Sequence, residues 1–266
     1  MYSFNYHRAS SVADATTQFG NGTEAKYLSG GMTLLPAMKT RLAAPSDLVD
    51  LSRIGELKGV KVSGRDVTIG AGTIHADVAA DASLRAVCPG LSDLASHIGD
   101  PHVRHRGTIG GSIANNDPAA DYPAGLLALG ATIVTNKREI AADDFFTGLF
   151  ETVLEEGEVV TAVRFTAPEK CAYEKFPNPA SRYAMTGVFV AKGAQGVRVA
   201  VTGAGDDGVF RVDDFEAALS KNFDASALEG MKVSADGLMS DIHASADYRA
   251  NLVAVMAKRA VAAAKG

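Results

Sequence analysis

Two glycine-rich segments carry the residue types from which an anion-binding site is built. They are Ser29-Gly30-Gly31-Met32-Thr33, the first glycine segment, and Thr108-Ile109-Gly110-Gly111-Ser112, the second glycine segment. Glycine permits close approach of a ligand to the backbone, and a glycine turn that opens a helix aims free N–H groups and the positive end of the helix dipole at an anion. The first segment opens a helical pattern over residues 34–39, with Pro36 at an early position that tolerates its missing N–H. Each segment alone is typical of an ordinary turn, but the pair predicts a pyrophosphate site and therefore a dinucleotide.

Two carboxylates, Asp117 and Asp121, follow the second glycine segment. Pro118 lies between them and argues against a shared helix face, so they do not resemble an acid/base pair. Two interpretations stay open: these carboxylates bind hydroxyl groups of the cofactor, or they serve as turn and helix-cap residues. No nucleophile elbow and no Cys–His pair is evident, so no residue is predicted to act as a catalytic acid, base or nucleophile.

A short stretch before the second glycine segment concentrates side chains that bind metals in other proteins. These side chains are His97, Asp100, His102 and His105. The Asp100-Pro101 pair breaks any helix through the stretch, and Arg104 and Arg106 would repel a cation. We therefore expect no metal site here, and the basic stretch is expected to face a cofactor or a partner surface.

Two further glycine patterns resemble dinucleotide-binding motifs without their context. Residues 203–208 match GxGxxG, but extended stretches flank them on both sides, which is typical of a hairpin turn. Residues 70–75 lack the third glycine and the long first strand of a βαβ unit. We expect a structural turn there, with the cofactor passing nearby as the alternative.

Composition limits the class of protein. The chain has 266 residues, 47% of them hydrophobic, and a net charge of −5, which favours a globular protein and argues against nucleic acid as the main partner. No run approaches the roughly 18 apolar residues of a membrane span, and residues 1–6 do not resemble a secretory signal, so a cytoplasmic location is expected. The two cysteines, Cys88 and Cys171, are too few for a disulfide framework or an iron–sulfur cluster, which predicts free core thiols.

The pattern of elements indicates an α+β protein in three segments. Residues 1–55 form a strand–helix–strand unit, residues 56–168 a second α+β unit, and residues 169–266 an antiparallel sheet with a long terminal helix. Helices are predicted over residues 11–19, 33–42, 75–84, 91–98, 122–129 and 246–264. Strands are predicted over residues 26–29, 48–51, 60–62, 67–69, 131–135, 159–165, 172–175, 187–190 and 197–201.

Taken together, the motifs resemble the FAD-binding medium subunits of the molybdenum hydroxylases. The resemblance rests on residues 29–39, 48–54, 98–114, 117–121, 173–175 and 241–249, and thus covers nearly the whole chain. Within that family it is greatest to the branch of the aerobic carbon monoxide dehydrogenases. The implied fold is a two-part FAD-binding domain of the p-cresol methylhydroxylase/vanillyl-alcohol oxidase type, followed by a C-terminal antiparallel sheet packed with helices.

The resemblance also implies roles for individual residues. The two glycine segments match the loops that bind the FAD pyrophosphate, and Asp121 matches an acidic residue near the ribityl chain. Lys175 matches a lysine at the flavin side, while Ile98 and Ala114 fall where the family lines the cofactor. Many members have a polar residue followed by serine where this chain has Met32 and Thr33. Thr33 keeps the hydroxyl, whereas Met32 offers only its backbone N–H.

The function implied by the family is electron relay within a complex. A large molybdopterin subunit oxidises the substrate, a small subunit carries electrons through two [2Fe–2S] clusters, and FAD in the medium subunit passes them to an external acceptor. The shortage of cysteines agrees with that division, because clusters need thiolate ligands. Three alternatives stay open: the FAD subunit of a xanthine or N-heterocycle dehydrogenase, a stand-alone FAD-dependent oxidoreductase, and an assembly module that no longer holds FAD.

Overall fold

The computed structural model describes residues 1–264, in which helices and strands are mixed and three main sheets follow one another along the chain. The first sheet has three strands, the second has five and the third has four, and a separate hairpin of two short strands over residues 146–152 precedes the last strand of the second sheet along the chain. The predicted α+β class is confirmed. No helix within this part of the chain combines the length and the apolar character that crossing a bilayer requires.

The first sheet is parallel throughout, with strand order β1-β3-β2. Its elements are β1 (Asn5–Arg8), α1 (Val12–Gly20), β2 (Ala25–Leu28), α2 (Leu34–Lys39) and β3 (Asp47–Asp50). Ser11 begins α1 by accepting a hydrogen bond from the Asp14 N–H, as expected of an N-cap. The helix predicted over residues 11–19 and both predicted strands are confirmed within one residue at each end, whereas the helix predicted over residues 33–42 is shorter and ends at Lys39. Strand β1 was not predicted, because three of its four residues are exposed and it has no apolar alternation.

The second sheet is antiparallel, with strand order β4-β5-β10-β6-β7. In chain order the elements of this part are β4 (Val60–Ser63), β5 (Asp66–Gly70), α3 (His75–Ala80), α4 (Ala82–Val87), α5 (Pro89–Ser96), α6 (Pro101–Arg104), α7 (Ile109–Asn115), α8 (Tyr122–Ala128), β6 (Thr132–Thr135), β7 (Glu139–Ala141), α9 (Ala142–Phe145), β8 (Phe146–Gly148), β9 (Glu151–Thr152) and β10 (Val160–Thr166). The hairpin predicted over residues 60–69 is confirmed.

Two local predictions in this part need correction. The helix expected over residues 75–84 is broken at Asp81, because the Asp81 carboxylate caps a new helix by accepting from the Leu84 N–H at 2.8 Å. The second glycine segment is not a loop: Gly110 and Gly111 lie in the first turn of α7. Thr108 caps this helix, with its Oγ1 atom 3.1 Å from the Gly111 nitrogen.

The third sheet, of order β11-β12-β13-β14, is antiparallel and packed on both faces. Its elements are β11 (Lys170–Pro177), β12 (Ala184–Gly193), β13 (Gly196–Gly205) and β14 (Gly208–Arg211), followed by α10 (Asp213–Lys221) and α11 (Ala246–Ala263). Phe189 and Ala191 pack into the core of the second part, whereas Val188 and Val190 face α10 and α11. The three predicted strands and the terminal helix are confirmed, and residues 203–208 form the β13–β14 hairpin, as expected.

Backbone hydrogen bonds join the third sheet to the segment that follows α7. The Gly203 N–H donates to the Pro118 carbonyl at 2.9 Å, and the Thr202 hydroxyl donates to the Ala120 carbonyl at 2.6 Å. Cys88, between α4 and α5, also contacts Cys171 of β11, with the sulfur atoms 3.7 Å apart. Both cysteines are buried and free, as predicted.

Candidate functional site

A cavity of about 820 Å³ lies where the three parts of the chain meet. This volume is in the range of sites that hold small molecules and cofactors. All of the residues predicted to face a cofactor line it, except Ile109 and Lys175. Ile109 is fully buried in the core of the second part, and Lys175 lies behind Asp121. The lining residues from that prediction are Ser29, Gly30, Gly31, Met32, Thr33, Ile98, Thr108, Gly110, Gly111, Ser112, Ala114 and Asp121.

The two glycine segments are in direct contact although 79 positions separate the residues that join them. The hydroxyl oxygens of Ser29 and Thr108 are 2.8 Å apart. Gly30 lies against the backbone just before the second segment, so that a Cβ atom there would be 2.7 Å from the carbonyl carbon of Arg106. Only glycine fits at this position, because the neighbouring atoms belong to the backbone and cannot rotate away.

The two segments differ in the hydrogen-bond donors that they leave free. No acceptor within residues 1–264 pairs with the N–H groups of residues 30–34. In the second segment, by contrast, the Ile109 N–H donates to Thr73 at 3.1 Å and the Gly110 N–H donates to Ala71 at 2.8 Å. The first segment therefore presents an anion cradle at the start of α2, whereas the second contributes close packing and hydroxyl groups. The sequence had suggested two equivalent cradles.

Asp121 is the centre of a buried polar cluster at another part of the cavity. Its Oδ1 atom accepts hydrogen bonds from the Tyr173 hydroxyl at 2.5 Å and from the Lys175 ammonium at 2.9 Å, and Lys175 also donates to the His97 carbonyl. Burial raises the pKa of Asp121, and the Lys175 charge limits that rise. The side chain does not cap α8, so the helix-cap interpretation fails for Asp121. Sequence reasoning did not identify Tyr173 as part of the site.

Asp117, which also lines the cavity, and Asp100 of the histidine-rich stretch both make local hydrogen bonds. Asp117 accepts from the Ala119 N–H at 2.9 Å, which is the turn interpretation, and burial raises its pKa. Asp100 caps α6 by accepting from Val103, and the Arg104 guanidinium donates to the Gly99 carbonyl at 2.9 Å. Among the residues that the structure describes, no three His, Cys, Asp or Glu side chains converge as a metal site.

One end of the cavity is aromatic, a feature that sequence reasoning missed. The rings of Phe19 and Tyr27 stack with centroids 4.6 Å apart, and the Tyr27 hydroxyl donates to the Gly157 carbonyl at 3.0 Å. Burial raises the pKa of Tyr27 to about 12. Stacked rings with an apolar lining suit a planar ring of a ligand. The sequence feature that could have identified this aromatic end is the position of Tyr27 on the strand that leads into the first glycine segment.

His75 is a further residue that was missed, within the pattern of residues 70–75 taken as a structural turn. Its ring is buried and lines the cavity, and its Nδ1 atom has no hydrogen-bond partner in the described part of the chain. Burial, with a smaller contribution from Arg104, lowers the pKa of His75 to about 4. The imidazole is therefore neutral at pH 7. The position of His75 in the cavity lining agrees with the alternative that the cofactor passes near this turn.

We expect His75 to make the chain sensitive to acid. An ordinary histidine in the unfolded chain has a pKa near 6.5, so the unfolded state binds the proton first and the native state loses stability as pH falls from 6.5 towards 4. Between pH 7.5 and 5 this loss amounts to about 2 kcal/mol. Urea unfolding of wild type and His75→Gln at both pH values measures it. The variant is expected to lose less stability, and parallel losses would contradict the assignment; His102→Gln, which alters an exposed ring, is the control.

Comparison with known proteins gives consistent matches over this chain. The family model described as "FAD binding domain in molybdopterin dehydrogenase" matches residues 2–168. The carbon monoxide dehydrogenase medium chain of Hydrogenophaga pseudoflava is 36% identical, over 98% of this chain and 96% of that protein. The nicotine 6-hydroxylase medium subunit of Paenarthrobacter nicotinovorans is 32% identical, over 96% of this chain and 95% of that protein.

Solved structures agree with these sequence matches. Reconstituted CO dehydrogenase from Oligotropha carboxidovorans contains a chain that superimposes with a TM-score of 0.86 at 34% identity, covering 98% of this chain and 97% of that one. A chain of quinoline 2-oxidoreductase from Pseudomonas putida 86 superimposes with a TM-score of 0.83 at 27% identity, covering 98% and 96%. The similarity therefore extends through the third sheet and beyond residues 2–168.

Proposed function

Because the chain belongs to the family of the FAD binding domain in molybdopterin dehydrogenase, and so is an FAD subunit of molybdenum hydroxylase type, we propose that it holds FAD between the [2Fe–2S] clusters of a partner and an external acceptor. The enzyme that we propose is of the carbon monoxide dehydrogenase type. The observation that carries the proposal is the cradle of free N–H groups over residues 30–34, which lies against the second glycine segment inside a cavity of about 820 Å³.

The residues present fit FAD. A pyrophosphate needs several convergent donors, which residues 30–34 offer, and the hydroxyl groups of Thr108 and Ser112 line the same cavity. The stacked Phe19 and Tyr27 suit the adenine, and Asp121, which Lys175 holds from outside the cavity lining, suits the polar side of the flavin. Bound FAD would supply the exchange between one-electron and two-electron transfer, while the chain's own residues bind and orient it.

We propose a small [2Fe–2S] subunit and a large molybdopterin subunit as the partners. Two observations support them: similar proteins are named medium chains or medium subunits, and the only two thiols of this chain are buried against each other, which leaves no ligands for a cluster. An acceptor outside the complex completes the proposed relay. The cytoplasmic location predicted from the sequence stays a prediction.

A second candidate function is the FAD subunit of a dehydrogenase for N-heterocycles. It is favoured by the match over 98% of this chain to a chain of quinoline 2-oxidoreductase, at a TM-score of 0.83. The two candidates differ in the substrate of the large subunit, and the cavity described above serves both. Measuring the turnover of carbon monoxide and of quinoline by the assembled complex distinguishes the two candidate functions.

We also propose that the chain divides into residues 1–55, 56–168 and 169–266. The first two would be the halves of the FAD-binding domain and the third the C-terminal domain of the medium subunit. In support, each main sheet lies within one of these ranges, and the link between β10 and β11 contains Pro168.

Spectroscopy of the purified chain and of the complex tests the proposed function. The chain, loaded with FAD, is expected to be reduced by dithionite and to remain oxidised under carbon monoxide. Addition of the small and large subunits is expected to make the same flavin reducible by carbon monoxide. Turnover of a substrate by the chain alone would favour the stand-alone flavoenzyme, and absence of flavin from both the chain and the complex would favour the assembly module.

A further inference from the structure

The hairpin loop between β8 and β9 exposes two large apolar side chains. Leu149 is 44% exposed and Phe150 is 61% exposed. Phe150 also has a φ of +56°, a conformation that a bulky residue rarely adopts and that glycine or asparagine adopts at lower cost. Such exposure and such a backbone conformation favour neither folding of the loop nor solubility. Neither residue lines the cavity described above.

Asn116 fixes this loop from inside the protein. The buried Asn116 side chain donates from Nδ2 to the Gly148 and Glu151 carbonyls, both at 2.8 Å, and its backbone carbonyl accepts from the Phe150 N–H at 3.0 Å. These three hydrogen bonds bracket Leu149 and Phe150 on both sides. The strained backbone is therefore held in place by its surroundings, which is how proteins keep strain at functional positions.

Three acidic residues lie in this loop and in the neighbouring hairpin. Glu151 is the residue after Phe150, and Asp206 and Asp207 form the exposed tip of the β13–β14 hairpin. That hairpin lies beside the loop, since a Cβ atom at Gly208 would be 3.7 Å from the Gly148 carbonyl oxygen. An apolar centre with a charged rim is the usual composition of a protein interface, and the sign of the rim calls for basic residues opposite.

We propose that Leu149 and Phe150 form a docking knob that inserts into an apolar pocket rimmed by lysine or arginine on a partner subunit. This inference rests on the proposed function, because it presumes that the chain works in a complex. A rigidly held aromatic side chain loses little conformational entropy on binding, and buried aromatic anchors contribute much of the binding energy at interfaces. The strain at Phe150 then serves to present the ring to the partner.

The variant Phe150→Asn separates docking from folding, because the two effects have opposite signs. Asparagine adopts positive φ more readily, so the chain alone is expected to melt about 2–4 °C higher than wild type. Loss of the aromatic anchor is expected to weaken assembly with the partner subunits about tenfold to a hundredfold. Thermal unfolding of the chain and titration of the chain into the small and large subunits measure the two effects. If the phenylalanine had only a structural role, Phe150→Asn would lower both the melting temperature of the chain and its affinity for the partner subunits.

Two control variants sharpen the comparison. Phe150→Tyr keeps the aromatic ring and is expected to assemble within a few fold of wild type. Leu42→Asn changes an apolar side chain that is more exposed, at 85%, and lies outside the β8–β9 loop, and is expected to leave assembly unchanged. Unaltered assembly of Phe150→Asn would overturn the proposal, as would a loss of self-association with normal binding to the other subunits. Failure of wild type to bind either subunit would instead contradict the proposed function itself.

Discussion

Gly30→Ala is expected to remove FAD from the protein. The added methyl group would overlap the backbone of Arg106, with its carbon 2.7 Å from the Arg106 carbonyl carbon, so the two glycine segments must separate. Overpacking of this kind costs about 1–3 kcal/mol of folding stability. Separation also displaces the free N–H groups, and the loss of two hydrogen bonds to a charged pyrophosphate costs about 3 kcal/mol or more of FAD binding. The ratio of flavin to protein absorbance and the Kd for FAD measure the effect.

Gly20→Ala is the matched control for this substitution. Gly20 ends α1, and a Cβ atom there meets no atom within 4 Å. The same chemical change is therefore expected to leave FAD binding unchanged and to alter stability by less than about 1 kcal/mol. If Gly30→Ala retained flavin as Gly20→Ala does, the cradle over residues 30–34 would not be the pyrophosphate site.

Asp121→Asn is expected to cause the largest loss of stability of any single charge removal in the cavity. The Lys175 side chain is only 6% exposed, and it would keep a buried charge without its carboxylate partner at 2.9 Å. Breaking a buried ion pair in this way costs about 3–5 kcal/mol. Chemical denaturation of the chain without FAD measures this loss. Any additional loss in the presence of FAD reports the direct contact between Asp121 and the cofactor that the family resemblance implies.

Two further variants distinguish charge burial from a general intolerance of substitution. Combining Asp121→Asn with Lys175→Met removes both charges and is expected to recover about 2 kcal/mol or more of the loss. Glu229→Gln breaks the exposed pair with Lys258, in which the glutamate is 80% exposed, and is expected to cost less than about 1 kcal/mol. Equal losses in Asp121→Asn and in the double variant would mean that the ion pair is unimportant.

The parts of the fold that could be predicted from sequence are those with local signals. The hairpin at residues 60–69 has a glycine turn between apolar alternations, and α11 has helical periodicity over several turns. Strand β1 and helix α10 have weaker patterns, and their structure depends on neighbours that are distant in sequence. The helix at the second glycine segment could not be predicted either, because glycine disfavours helices. Close packing of Gly110 on Ala71, which is distant in sequence, compensates for that preference.

The parts of the candidate site that lie within one short segment could be predicted from the sequence. The contacts between segments that are distant in sequence could not. Each glycine segment has a local sequence pattern, and the presence of both in one chain predicted a dinucleotide. The partners of Asp121 lie 52 and 54 positions away, so no local pattern connects Tyr173 and Lys175 to it. Which N–H groups remain free also depends on Thr73 and Ala71, which already accept bonds from the second segment.

The hydrogen bonds between the third sheet and residues 118–120 bear on how such a protein could be shortened or recombined during evolution. A chain ending at residue 168 would keep both glycine segments but would leave the Pro118 and Ala120 carbonyls without their donors from β13. It would also expose the face of α8 that Phe189 and Ala200 cover. A chain cut at residue 168, where the matched family model ends, is therefore expected to be less stable than the full chain. Gene fusions in this family are expected to exchange both parts together.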